Sequence, residues 1–177
     1  MKESIVLDLD GVIADIASSI DQWLFRHDDI KSGDLDYSHW LITDSNDDKA
    51  MKIFNDPLFW KNLKPYEDAW HQINYWFESG IDVHVVTARR CPAAMKHTEP
   101  WLDFWRIGTQ RPIFTNIHEK HHVISELNPR FVVEDNPNEV EILLNEGINA
   151  FLRKQWYNQK DWERLPTIDT LYDLDWN

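Results

Sequence analysis

Asp8 and Asp10 stand one residue apart just after a short apolar run, Ile5-Val6-Leu7, and Gly11 follows them directly. On an extended segment side chains alternate, so the two carboxylates share one side and Leu9 takes the other. Gly11 allows the tight backbone exit such a site needs. Two carboxylates side by side repel, and their pairing makes sense around a hard cation. Mg²⁺ takes oxygen ligands, a few from carboxylates and the rest from water and substrate phosphate. Asp135, within Glu134-Asp135-Asn136-Pro137, can supply a third protein ligand. With the cation and Lys120 neutralising phosphate charge, one carboxylate can attack phosphorus and form an aspartyl-phosphate. The other would protonate the leaving oxygen and then activate water. A threonine hydroxyl, from Thr87, and nearby backbone N–H groups would hold the phosphoryl oxygens.

The same residues admit other readings. Asp-x-Asp-Gly also occurs in turns and calcium-binding loops, but Val12 and Ile13 do not continue as an EF-hand. Arg89, Arg90, Lys96 and Arg111 compete with Lys120 for the phosphate. His118, His121 and His122 lack the cysteines or ordered spacing of a zinc site and read as a solvated helix start. Cys91 has no evident role.

These groups must be brought together by the elements around them. Short apolar runs at Ile5 to Leu7, Val83 to Val86, Ile113-Phe114, Phe131 to Val133 and Ala150 to Leu152 read as strands. They are continuous rather than alternating, as expected when both faces of a parallel sheet are covered. Between them lie helical segments. Ala14 to Phe25 carries Ile16, Ile20, Trp23 and Leu24 near helical spacing. Asp68 to Glu78 places Ala69, Ile73, Trp76 and Phe77 on one side, with Gly80 as its stop. Trp101 to Trp105 reads as a helix with Thr98 as N-cap, and His121 to Leu127 as a short one. After the fourth strand Asn136 can cap a helix, with Pro137 at its first position and Glu139 returning a capping-box bond, ending at Gly147. Alternating strand and helix predict an α/β fold with a parallel sheet and helices on both faces. In such a sheet ligands bind beyond the carboxyl ends of the strands, where Asp8, Asp10, Thr87, Lys120, Glu134 and Asp135 are expected to converge. Residues 28 to 49 are rich in Asp, Ser, Gly and Asn and read as irregular. The stretch from about 15 to 65 breaks the rhythm and reads as an inserted cap.

The chain of 177 residues suits one domain, 1–177, with a core of about 1–14 and 66–177. Its net charge of -13 would repel a phosphate backbone, so polymeric nucleic acid is a poor partner. A small phosphate ester needs only a local reversal of sign. One cysteine permits no intrachain disulfide, and the short apolar run near the N-terminus is neither a signal-peptide core nor a membrane span. A cytoplasmic protein without membrane attachment is expected, and a homodimer is compatible with the sequence. Ten tryptophans are many for this length, enough for both core and pocket walls.

The order Asp8-Leu9-Asp10-Gly11-Val12, Val86-Thr87, Lys120 and Glu134-Asp135 resembles the four motifs of the haloacid dehalogenase-like (HAD) hydrolases, from residue 5 to about 137. The resemblance implies a Rossmann-like three-layer α/β/α sandwich with a small helical cap after the first strand. It implies that Asp8 is the nucleophile, and that Asp10 is the general acid/base and gives a backbone oxygen to Mg²⁺. It implies that Thr87 and Lys120 bind the phosphoryl group, that Asp8, Asp10 and Asp135 hold the metal, and that Glu134 neighbours it. Ala88 and Arg89, on their own chemistry and position, are expected beside them at the phosphate, with a surface pair as the other reading of Arg89 and Arg90. Glu134 stands where Asp is common, and Arg89-Arg90 where Ser-Pro or Ala-Pro often follows. A narrower resemblance, to the 5'(3')-deoxyribonucleotidases, is carried by Asp56-Pro57-Leu58-Phe59-Trp60-Lys61-Asn62-Leu63 with Pro65, and by Gln155-Trp156-Tyr157-Asn158. It implies a nucleoside monophosphate substrate enclosed by Phe59 and Trp60, residues that core packing would equally suit. Two rival readings are a phosphatase of another small ester, such as a sugar phosphate, and a catalytically silent binding module. A dehalogenase fits Asp10 and Asp135 less well, and a receiver domain would carry its aspartate on a mid-sheet strand.

Overall fold

The computed structural model describes residues 3–26, 48–116 and 118–174. Up to residue 47, the acidic stretch read as irregular lies outside the described residues. Six strands, β1 (Ser4–Leu7), β2 (Asp82–Thr87), β3 (Ile113–Phe114), β4 (Val132–Glu134), β5 (Ala150–Arg153) and β6 (Thr167–Ile168), form one sheet in the order β3-β2-β1-β4-β5-β6. Every pairing is parallel. β6 has only two residues and no apolar run that would have announced it.

The helices are α1 (Ile16–Arg26), α2 (Asp48–Asn55), α3 (Pro57–Asn62), α4 (Glu67–Glu78), α5 (Pro92–Trp105), α6 (Lys120–Leu127) and α7 (Pro137–Asn145). Alternation along the strands sorts them into two layers. Ile5 and Leu7 of β1, with Val83 and Val85, pack among side chains of α1, α3, α4 and α5. Val6, Val86 and Val132 face the other way, against Ile124 of α6 and Val140 and Leu143 of α7. Each fully buried aliphatic side chain contributes about 1.5–3 kcal/mol, so the strands are fixed from both faces. Among the described residues no helix is long and apolar enough to cross a membrane.

Two local expectations are corrected. The fifth helix starts at Pro92, not after Thr98, which lies buried mid-helix and donates to the Ala94 carbonyl at 2.8 Å. Pro92 occupies a first-turn position, where its missing N–H costs nothing, and Pro100 is carried inside the helix. In α4, Ala69, Ile73 and Trp76 are buried, but Phe77 is half-exposed and covers Gly108, where an added Cβ would lie 2.7 Å from its ring. One further residue rotates a side chain about 100° around a helix, which carries Phe77 off the inner face.

The chain leaves the sheet after β1 and returns at α4 through paired backbone. Asp15 N–H bonds Lys64 O at 2.9 Å, Tyr66 N–H bonds Ile13 O at 2.9 Å, and Ala14 bridges Pro65. The intervening helices are pegged by indole N–H groups. Trp23 donates to Asp56 at 2.6 Å, Trp60 to Phe54 O at 2.9 Å, and Trp101 of α5 to Leu63 O at 2.9 Å. The loop after β1 is held from below by Arg153, which donates to Val12 O at 3.0 Å and to both oxygens of Asp68 at 2.9 and 2.7 Å.

Candidate active site

The strand order reverses direction at β1, with β2 and β3 on one side and β4 to β6 on the other. That leaves a crevice at the carboxyl ends of β1 and β4. Leu7 pairs with Val133, so Asp8 emerges level with Glu134, and its N–H bonds Val133 O at 2.9 Å. Thr87 ends β2 on the other flank. Asp8, Asp10, Thr87, Ala88, Arg89, Lys120, Glu134 and Asp135 line one cavity. The groups expected to converge at the strand ends do so.

Gly11 turns the chain away with a positive φ of 78°. A Cβ there would lie 2.1 Å from Asp135 Oδ2 and 2.5 Å from the Tyr157 hydroxyl oxygen. Gly11→Ala is therefore expected to displace Asp135 as well as strain the backbone. The left-handed conformation alone costs about 1–3 kcal/mol in a non-glycine residue. A lowered unfolding midpoint together with weakened divalent-metal binding is the expected result, and unchanged metal binding would contradict it.

Electrostatically the cavity is overloaded with acid. Lys120 Nζ lies 2.5 Å from Asp8 Oδ1 and 2.6 Å from Glu134 Oε1, and all three side chains are buried. Burial alone would push the Lys120 ammonium down, but Asp8 and Glu134 outweigh it and hold it above its ordinary value. The Asp8 carboxyl is raised, first by burial, with Lys120 opposing and Asp10 adding repulsion. Glu134 is raised well above the usual carboxylate range by burial, with Asp8 and Asp135 adding to it. Asp135 is pushed up to about 8 by burial and by Asp8. Ligand oxygens of Asp8, Glu134 and Asp135 lie within 4.8 Å of one another. Burial holds these carboxyls toward their neutral forms, and a hard divalent cation, which an all-oxygen set of this size suits, would let them ionise together.

Asp10 turns its side chain away from that cluster. Both its oxygens accept from Arg89, Nη2 at 2.5 Å and Nε at 2.7 Å. Arg89 also donates to Thr98 Oγ1 at 2.9 Å and lies 5.0 Å from the Trp60 ring centroid. The guanidinium expected at the phosphate is thus committed to Asp10. Phe59 and Trp60, expected as pocket walls, do not line the cavity. They are buried, 2% and 5% exposed, in an edge-and-stack cluster with Phe54, and Trp60 stacks on His97. Apolar faces that find one another inside the helical insert gain more than they would against water.

Solved structures share this architecture. A protein from Bacteroides fragilis described as a haloacid dehalogenase-like hydrolase superposes with a TM-score of 0.63 at 15% identity, over 99% of this chain and 100% of its own. A HAD-hydrolase from Bacillus subtilis, bound to magnesium, gives 0.62 at 13% identity over 97% and 96%. The D,D-heptose 1,7-bisphosphate phosphatase from Burkholderia thailandensis gives 0.56 at 16% identity over 96% and 93%. The fold is that of the HAD-like hydrolases. No family model matches the chain, and no curated protein does. At these identities the likeness is one of fold.

On this HAD-like frame three residues line or brace the site that strand-end logic did not single out. Asn136 and Glu139 line the cavity. Glu139 makes no capping box. The cap is Asn136 Oδ1, accepting from Asn138 N at 3.0 Å. Glu139 is instead buried, its carboxyl raised chiefly by burial, and its Oε2 has no partner among the described residues. Its place four residues after Asp135, hence one turn along, was the available signal. Tyr157 donates its hydroxyl to Asp135 Oδ2. His121 and His122 meet Glu146 in a half-buried to exposed group away from the cavity, without His118.

Proposed function

We propose that this chain is a Mg²⁺-dependent phosphomonoesterase acting through an aspartyl-phosphate on Asp8. The observation that carries the reading is the convergence of Asp8, Asp10, Thr87, Lys120 and Asp135 on one cavity at the reversal point of a HAD-like sheet. An Asp8 oxygen forms the bond to phosphorus as the ester P–O bond breaks, and Asp10 gives its proton to the departing oxygen. Water then attacks phosphorus, Asp10 takes its proton, and the acyl-phosphate P–O bond breaks to release orthophosphate and restore Asp8. Arg89 holds both oxygens of Asp10, so that pairing must loosen for Asp10 to reach the leaving oxygen. Thr87, the Ala88 backbone and Lys120 hold the phosphoryl oxygens. Asp8, Asp135 and the Asp10 backbone oxygen would hold the metal, with Glu134 beside it. Bound there, Mg²⁺ supplies charge neutralisation for phosphate.

Residues 15–65 act as a cap whose two ends are tied at Ala14 and Pro65. The substrate is a small phosphorylated metabolite. The nucleoside monophosphate reading drew on Phe59 and Trp60 as walls, and their inward packing favours the sugar-phosphate reading at least equally. Phosphate release with Mg²⁺ over deoxynucleoside monophosphates and sugar phosphates tests both. Release that chelation abolishes is the expected result. The more active class fixes the substrate, and no release from any ester with any metal would leave only a silent module.

A further inference from the structure

Beyond β5 the chain folds into a short turn, Trp156 to Asp161, that reaches back to both site loops. Gln155 Nε2 donates to Gly11 O at 2.7 Å, and Asn158 Nδ2 to Asp135 O at 2.9 Å and Arg153 O at 3.0 Å. The turn is locked on itself. Gln155 N–H bonds Asn158 Oδ1 at 2.9 Å, and Trp162 Nε1 donates to the same oxygen at 2.7 Å. Tyr157, between these anchors, is therefore fixed in place, and its hydroxyl donates to Asp135 Oδ2. Gly11 crowds the same side of that oxygen: an added Cβ would fall 2.1 Å from it and 2.5 Å from the Tyr157 hydroxyl oxygen. One Asp135 oxygen, Oδ2, is thus occupied by the Tyr157 hydroxyl and hemmed in by Gly11.

We propose that Tyr157 is a positioning residue that sets the metal preference of the site, holding Asp135 as a single-oxygen ligand and so favouring Mg²⁺ over Ca²⁺. The inference rests on the proposed metal role of Asp8 and Asp135. Mg²⁺ is small, demands near-octahedral geometry and takes one oxygen per carboxylate in such sites. Ca²⁺ accepts more ligands and welcomes both oxygens of a carboxylate. A hydrogen bond that occupies one oxygen and fixes the carboxylate plane penalises the larger ion. Partners of this kind typically change metal affinity by about 10–100-fold when removed.

The test is Tyr157→Phe in the full chain, with Mg²⁺ and Ca²⁺ titrated separately into chelator-stripped protein by calorimetry, without substrate. Mg²⁺ binding is expected to weaken about 10-fold. Ca²⁺ binding should hold or tighten, so that the Mg²⁺/Ca²⁺ affinity ratio falls by about the same factor. Gln155→Leu, which frees the turn from Gly11, should shift the ratio the same way by less, and it stands in should Tyr157→Phe fail to fold. An equal loss for both ions would mean a merely structural tyrosine and overturn the proposal, as would an unchanged ratio. Wild-type protein that binds neither ion would overturn the metal reading of the site along with it.

Discussion

Asp8→Asn is expected to lower phosphate release by about 10³-fold or more while leaving the fold in place. The amide keeps the volume of the carboxylate but cannot form an acyl-phosphate, so the covalent route closes. The fold survives because the charge removed is one the site carries in excess. Asp8 is repelled by Asp10, and it in turn raises Glu134 and Asp135. Lys120 loses one partner but keeps Glu134 at 2.6 Å. The metal-free variant should therefore unfold within about 1 kcal/mol of wild type, as for a substitution that opens no cavity and strands no charge. Phosphate-release rates and thermal unfolding of the same preparation check both halves. A variant that retains a tenth of the wild-type rate would place the nucleophile elsewhere.

The parts of the molecule that were legible beforehand are those whose signal is local. Buried parallel strands read as continuous apolar runs, and the residues at their carboxyl ends are neighbours by topology alone. Ile5 to Leu7 and Val83 to Val86 thus place Asp8 and Thr87 together. What was hidden depended on partners distant in sequence. Phe59 and Trp60 offer the same aromatic faces to a pocket or to a core, and Phe54, His97 and Arg89 decided between them. Thr98 looks like a helix start because its hydroxyl could cap a helix over Trp101 to Trp105. Its hydroxyl is instead occupied by Ala94 and by Arg89, nine residues upstream. Arg89 has the right charge for phosphate, and only the fold reveals that Asp10 claims it first. Tyr157 follows the last long strand in a segment marked only by the narrower family resemblance, which gives the tyrosine no role of its own. Its importance arises from the closeness of Gly11 and Asp135, 146 and 22 residues away along the chain.

Lys120→Met should be the most destabilising single change at the site. Its ammonium is the one positive group in contact with the Asp8–Glu134 pair among the described residues, and Lys120, Asp8 and Glu134 side chains are 4%, 9% and 1% exposed. Removing it strands two buried carboxylates beside Asp135. Deleting one member of a buried ion pair costs about 3–5 kcal/mol because the remaining charge has neither water nor partner. Against a total stability of about 5–15 kcal/mol for a domain, that is a large share. Glu134→Gln removes a negative charge from the same cluster and leaves Lys120 on Asp8, so it should cost far less. Mg²⁺ should then raise the unfolding midpoint of Lys120→Met more than that of wild type, since the cation becomes the only compensation the carboxylates have. Denaturant unfolding of the two variants, with chelator and with Mg²⁺, gives the comparison. Equal stability of metal-free Lys120→Met and wild type would mean that the carboxylates are not charged together. The electrostatic case for a cation at this site would fall with it.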